Sequence, residues 1–424
     1  MYFNPLPILL FISGIYILLR IKFFYILHPC RAFGRAFSAL RSPKNLSAFT
    51  LALAGTLGVG NVLGVAVGIM VGGAGSLFWL FLSAPISSAL KYAEVSLSAD
   101  TGGGTYHIIR ASWGRLGRPL SALYAVLCLL LGLVMGAALQ TKSIVDAIPE
   151  TDAKSGVLIA AAVAVIVALS VVGGGKIIGK ITLVIIPLTT IIYIITTFST
   201  IAVFSERLPA VIASVISGAF KTEAGVGGAL GFVTSRALRE GFARGMLSNE
   251  AGAGTSTLAH ANGDSIPPAE RGLNGVLEVV FDTTLLCTLT GLAILCAVPD
   301  PSAFDSGMEL VLAAVGSALG RGSSYLVTGA VFAFAYSTAV CWYYYATECA
   351  SQLTGTKRRA PLLFVFILFV LLGGVISERL LVGAADFLLL SLTTLTLPVL
   401  IKNSDRVVAL SESCGFIKSK ESDS

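Results

Sequence analysis

The sequence predicts an all-α polytopic membrane protein, and three observations carry that prediction. The 424-residue chain is 55% hydrophobic and 12% charged, with a mean hydropathy of +0.86. A soluble domain carries about 25% charged residues. Apolar runs of the length that crosses a bilayer, about 20 residues, recur from end to end. One of those runs, AFTLALAGTLGVGNVLGVAVGIMVGGAG at 48–75, carries Gly55, Gly58 and Gly60 just before Asn61. A simple spanning helix has little use for that many helix-weakening residues.

Eleven spans follow in order: 5–27, 48–71, 75–99, 119–141, 156–174, 177–204, 209–235, 274–298, a unit of 309–318 with 324–350, 361–377 and 382–401. The ninth unit counts once, because 309–318 alone is too short to cross. With the N-terminus outside, the segments at 20–44, 110–118, 176–180, 236–271, 357–359 and 402–420 are cytoplasmic. They hold 22 of the 29 Lys and Arg, Arg236, Arg239 and Arg244 among them. That asymmetry is the positive-inside pattern and places the C-terminus in the cytoplasm of a plasma-membrane protein. The net charge of +6 is thereby a topology signal and not a nucleic-acid patch. MYFNPLPILL lacks a positive n-region, so no cleavable signal is expected. The tail 402–424 reads as short, charged and mobile. Cys128, Cys287, Cys296, Cys341 and Cys349 sit in apolar runs without a CxxC pair and read as small buried hydrophobes.

Unpaired backbone is tolerated at membrane depth only where protein or a water-filled cavity meets it. Ala54–Asn61 therefore reads as an unwound point whose backbone is aimed at a ligand, as in the broken helices of secondary transporters. GAFKTEAGVGGALG at 218–231 reads as a second such point, with an interfacial helix at 209–223 as the alternative. After the first span is set aside, the two interruptions fall in the first and sixth of ten spans. Corresponding interruptions in two five-helix halves point to an inverted repeat. The division is then 1–47, an extra helix and basic loop; 48–204, the first repeat; 205–401, the second repeat with a cytoplasmic segment at 236–273; and 402–424, the tail.

Polar groups inside spans are the functional candidates. Lys91 and Glu94, three residues apart, can pair on one helix face. Asp282 is a lone carboxylate able to bond Thr283 or another helix. Ser337 and Thr338 offer hydroxyl oxygens to a hard cation. Trp342 shares a face with Thr338, whereas Tyr343–Tyr345 read as an interfacial belt. SNEAGAGTST at 248–257 reads as a tight polar loop or helix start. No HExxH, GxSxG or Walker pattern occurs, so an enzyme is not expected.

Five stretches taken together resemble the sodium:alanine (and glycine) symporter family, the amino acid carrier proteins of the amino acid–polyamine–organocation group. They are GTLGVGNVLGVAVGIMVGGAGSLFW at 55–79, KYAEVSLS at 91–98, FARGMLSNEAGAGTS at 242–256, VVFDTTLLCTLTGLAIL at 279–295 and FAFAYSTAVCWYYYATE at 332–348. The resemblance implies a LeuT-like five-plus-five fold with one extra N-terminal helix, and sodium-coupled uptake of a small neutral amino acid with no organic cofactor. It also implies site residues. Gly58, Val59, Gly60 and Asn61 would meet the substrate, faced by Ala224, Gly227 and Gly228, with Thr338 and Trp342 closing the pocket. The carbonyls of Ala54 and Leu57, with Ser337 and Thr338, would hold sodium. Where the family usually has Gly-Thr-Gly-Asn, this chain has Val59 at the second position, which removes a hydroxyl beside the substrate. The alternatives are proton coupling through Glu223, Asp282 or the Lys91–Glu94 pair, and a non-transporting amino acid receptor.

Overall fold

A computed structural model describes residues 6–148, 151–221, 235–261, 263–356 and 359–417. Among these the regular structure is helical throughout. In chain order the helices are α1 (Leu6–Arg20), α2 (Phe24–Leu27), α3 (Pro29–Ala39), α4 (Pro43–Thr56), α5 (Leu63–Gly72), α6 (Gly75–Thr101), α7 (Thr105–Ser112), α8 (Gly117–Leu131), α9 (Gln140–Asp146), α10 (Ala153–Val171), α11 (Gly175–Val203) and α12 (Leu208–Ala219). There follow α13 (Arg236–Asn249), α14 (Thr257–His260), α15 (Pro268–Val279), α16 (Thr288–Ala297), α17 (Gly307–Leu319), α18 (Ser324–Thr354), α19 (Arg359–Leu372), α20 (Glu378–Lys402) and α21 (Ser404–Ser413). Segments of π-helix, Gly132–Leu139 and Val280–Cys287, join α8 to α9 and α15 to α16. Among the described residues six helical units are long and apolar enough to cross a membrane, and the bent pair of α4 with 59–72 is a seventh.

Ion pairs mark one face of the bundle. Arg20 meets Asp405, Arg35 meets Glu270, Lys44 meets Asp264, and Arg406 meets Asp100. α6 starts from the opposite face and carries Asp100 in its last turn; its 27 residues span about 40 Å at 1.5 Å each. α6 is also the post on which the bundle is built. Gly14 brings α1 against Ile86, and α13 and α15 lie along it through Gly241, Gly245, Gly272 and Gly275, where an added Cβ would fall 3.0 Å or less from α6 atoms.

Three expectations are corrected here. First, 236–261 is not a cytoplasmic connection. α13 begins beside Gly72, which meets Arg236 O and Glu240 Cβ, runs along Ser76 and Ser83, and the chain reaches Asn45 and Arg271 at residue 263. The segment therefore crosses between the two faces, and Arg236, Arg239 and Arg244 do not belong with the basic face. Two of the residues laid on α6, Gly241 and Gly245, are glycines, which hydropathy does not reward. Instead, α12 packs at the start of α6, where Gly218 meets Gly75. Second, Lys91 does not pair with Glu94; its ammonium is bonded to Ser256 and lies 3.6 Å from Glu278. Third, α21 is docked. The Tyr92 and Ser411 hydroxyls bond at 2.6 Å, and Phe416 stacks on Phe24 at 5.0 Å. The five cysteines read as buried hydrophobes are buried and unbridged.

Candidate functional site

The first interruption is an opened helix, bent by 58° between its halves. α4 ends at Thr56. Gly58 N–H turns back to Thr56 O at 2.8 Å, so the Ala54 carbonyl loses its usual donor four residues on. Gly58 is extended (φ −113°, ψ −160°), a short 3₁₀ turn covers Val59–Asn61, and α5 resumes at Leu63. A helix end leaves its last carbonyls without partners. Here α18 donates from one face to three carbonyls around that end: Cys341 Sγ to Leu51 O at 3.1 Å, Trp342 Nε1 to Gly55 O at 3.3 Å, and Thr338 Oγ1 to Leu57 O at 3.3 Å.

Beside the break lies a cavity of about 340 Å³, within the size range of small-molecule sites. Its floor is Gly55, Gly58, Val59, Gly60 and Thr338, and its walls include Gln140, Ser248 and Glu250. It runs past Arg244 to Glu378, Arg379 and Asp386, away from the ion-paired basic face. Gly58 is held to a bare backbone by crowding: an added Cβ would lie 3.1 Å from Thr338 Oγ1 and 3.4 Å from Gln140 Oε1.

The residues expected at the site divide. Gly58, Val59, Gly60 and Thr338 share the cavity, and Leu57 is bonded to Thr338. The Asn61 side chain instead points away from it, donating to the Asp282 carboxylate at 2.7 Å and to the Asp282 carbonyl at 3.1 Å. Its Oδ1 has no partner. Asp282 answers both readings of its role, since Thr283 and Ser248 hydroxyls also bond it, each at 2.8 Å. Trp342 lies behind the break and not on the cavity wall. It is wholly buried, pinned by the Gly55 carbonyl and seated in a notch at Gly136, where a Cβ would come within 2.2 Å. The Ser337 hydroxyl is turned to its own helix, bonding Ala333 O and Phe334 O. Ala224, Gly227 and Gly228 lie outside the described residues, as does the 225–231 glycine run.

Among the described residues the second interruption is at 250–256. Asn249 ends α13, Glu250 has φ +53°, and Gly252 and Gly254 have φ +88° and +74°. Three positive-φ residues within five positions make open chain. It is buried, with Ala253 O taken by Tyr124 OH at 3.0 Å and Gly254 N–H donated to Glu94 at 3.0 Å. Ser248, just before it, lies 3.9 Å from a Cβ built on Gly60, so the two interruptions adjoin. Of the wall residues, sequence reading passed over Gln140, counted Arg244 with the cytoplasmic basic residues, and read Ser248 and Glu250 only as part of a tight polar loop or helix start. Gln140 had a signal, as an amide near the end of an apolar run; its Oε1 is buried and unpartnered.

Comparison with known proteins agrees with this architecture. The chain is 32% identical over 398 residues to an uncharacterized transporter of Haemophilus influenzae, covering 90% of this chain and 87% of the relative. It is 30% identical over 401 residues to the sodium/alanine symporter AgcS of Methanococcus maripaludis, again covering 90% and 87%. The structure resembles the crystal structure of MhsT in complex with L-phenylalanine, at a TM-score of 0.59, 14% identity and coverage of 89% and 90%. That last likeness is one of fold alone, the LeuT-like five-plus-five arrangement. The family model described as the sodium:alanine symporter family matches residues 1–421, and the chain belongs to that family of membrane transporters.

Proposed function

We propose that the protein is a sodium-coupled symporter carrying a small neutral amino acid, alanine or glycine, into the cell by alternating access. The observation that carries this reading is the opened backbone at 57–62 on the floor of a cavity reaching one face. Val59 and Gly60 N–H groups find no acceptor there among the described residues, and α5 presents its N-terminal end. Backbone amides at a helix start attract a carboxylate. The glycine floor and the Val59 side chain leave room for a short apolar side chain. The Ala54 carbonyl, without its helical donor, and the Leu57 carbonyl with Thr338 suit sodium, which takes oxygen ligands from carbonyls and hydroxyls. Ser337 joins them by rotating from its own helix.

In this reading the cavity faces the outside, the N-terminus is external, the C-terminus is cytoplasmic, and the eleven passes stand with α13–α14 as the seventh. Sodium ties α4 to α18 and completes the substrate site, and the assembly then opens toward the basic face. Inward sodium movement at a negative-inside potential supplies about 2.3 kcal/mol per charge per 100 mV. The test is labelled alanine and glycine uptake into proteoliposomes under an inward sodium gradient or with potassium substituted. Accumulation that requires sodium and is blocked by unlabelled alanine supports the reading. Equal uptake in potassium removes sodium from it, and no uptake of either amino acid removes the substrate assignment.

A further inference from the structure

The opened floor accounts for one end of an amino acid and not for the other. A carboxylate has the Val59 and Gly60 N–H groups. An ammonium group needs acceptors, and Asn61, the polar side chain nearest in sequence, is turned to Asp282. Two acceptors on the cavity wall stand beside the floor. Gln140 is 3% exposed, and its Oε1, without a partner, lies 3.4 Å from a Cβ built on Gly58. Glu250 follows Ser248, which adjoins Gly60, and neighbours Cys341 and Tyr345, the pair that crowds Gly55.

Glu250 is 2% exposed, yet it lines the cavity. Its Oε2 accepts the Thr255 hydroxyl at 2.5 Å; among the described residues its carboxylate has no ion pair. The cations nearby are committed elsewhere. Lys91 Nζ donates to Ser256 Oγ at 2.8 Å and sits 3.6 Å from Glu278 Oε2, and His260 Nε2 meets Glu278 Oε1. Arg271 donates to the His260 and Asp264 carbonyls, and Arg244 lies 3.5 Å from Glu240 on its own helix. Glu94 and Asp282, wholly buried, add further anions. A buried carboxylate without a cation is costly, and a cation arriving through the cavity removes that cost on binding. Glu250 also holds φ +53°, which is uncommon for a residue with a side chain. Strain of this kind persists where the surroundings fix it, and it clusters at ligand sites.

We propose that Glu250 is the residue that reads the substrate's ammonium group, with Gln140 Oε1 as the second acceptor. The three N–H donors of an ammonium group suit separate acceptors on different elements. The carboxylate end then lies on the 59–60 amides and the ammonium end at the 250–256 opening, so one small molecule bridges the two interruptions. The class admitted is the α-amino acids with a free ammonium group. A hydroxy acid of the same shape leaves Glu250 without its cation and is refused. The assignment deepens the transport reading above and takes its substrate from it.

The experiment reads affinity from the ligand-dependent rise in melting temperature of the purified protein in sodium buffer. The ligands are L-alanine and L-lactate, which carries a hydroxyl in place of the ammonium. The native protein should bind alanine about 100-fold or more tightly than lactate. Glu250→Gln should weaken alanine about 10- to 100-fold, as for a lost charge-assisted hydrogen bond, and leave lactate unchanged. Glu250→Asp, its charge drawn back by one methylene, should lie between, and it carries the comparison should Glu250→Gln fail to fold. An alanine-to-lactate ratio that is the same in variant and native protein overturns the assignment, whether both ligands weaken together or neither does, and leaves the transport reading intact. Equal binding of the two by the native protein overturns it as well. If the native protein binds neither alanine nor glycine, the transport reading fails, and methylammonium against tetramethylammonium, which has no N–H to donate, decides the site. Stabilisation by methylammonium alone, lost in Glu250→Gln, supports it; no stabilisation, an equal response to the two ions, or one that Glu250→Gln keeps, overturns it.

Discussion

At the scale of single residues, the site depends on side chains that fasten backbone and not on ones that touch a cavity. Trp342 is the clearest case. The sequence places it one turn from Thr338, which is correct as helix geometry, but not the notch at Gly136, which comes from a π-helical turn far away in the chain. Gly136→Ala should push Trp342 off the Gly55 carbonyl. Overpacking of this kind costs about 1–3 kcal/mol, visible as a lower melting temperature in detergent. Thr338→Ala should leave the fold nearly unchanged and raise the sodium concentration needed for half-maximal uptake; an unaltered sodium dependence would remove Thr338 from the cation site. Asp282→Ala should destabilise by at least about 2 kcal/mol, because it strands the Asn61, Ser248 and Thr283 donors, and the same melting measurement checks it. Asn61 and Asp282 were each legible as polar groups in apolar runs. Their contact, across 221 residues, was not, because nothing local encodes it.

At the scale of elements, the first interruption was legible as one, whereas the second was read only as a tight polar loop or helix start, without its place beside the first. Gly55, Gly58 and Gly60 stand in an apolar run, so hydropathy frames them. RALREGFARGMLSN has no such frame. α13 is polar because its small face is pressed on α6 and its long side chains line the cavity. Arg244, for instance, lies over Gly68, where a Cβ would meet its Cγ at 3.2 Å. Spacing of Gly241 and Gly245 by four was the available signal. Two measurements check the placement. In a background lacking Cys30, Arg244→Cys should react with a membrane-impermeant thiol reagent from the side that labels Lys142→Cys, and Lys44→Cys only from the other. Gly245→Val should abolish folded protein at the membrane, since even a Cβ would fall 2.0 Å from Ser83 Oγ.

At the scale of the whole molecule, the basic face is tied shut by partners drawn from distant parts of the chain. Most are exposed ion pairs, each worth about 0–1 kcal/mol, so Asp405→Asn or Asp100→Asn alone should hardly move the melting temperature. Asp264 is held below the ordinary carboxylate range, first by the Ser42 hydroxyl and then by Lys44. A lowered value in the folded state means that its contribution is present at neutral pH and is lost as the pH falls through that lowered value. Asp264→Asn should therefore flatten the acid limb of stability against pH and leave the alkaline limb alone. Composition read the all-helical membrane class well, because lipid acts on the chain as an average. The docking of α21 escaped it, since that docking turns on single contacts such as Tyr92 with Ser411.

The fastening of α4 to α18 also bears on tempo. Cys341, Trp342 and Thr338 grip three carbonyls over seven residues of one rod, so the inner half-helix cannot peel away one bond at a time. Release is all or none, like a zipper with its teeth glued together. A carrier built this way should cycle with a steep Arrhenius slope, and Trp342→Phe, which keeps the ring but loses the indole N–H, should make that slope shallower.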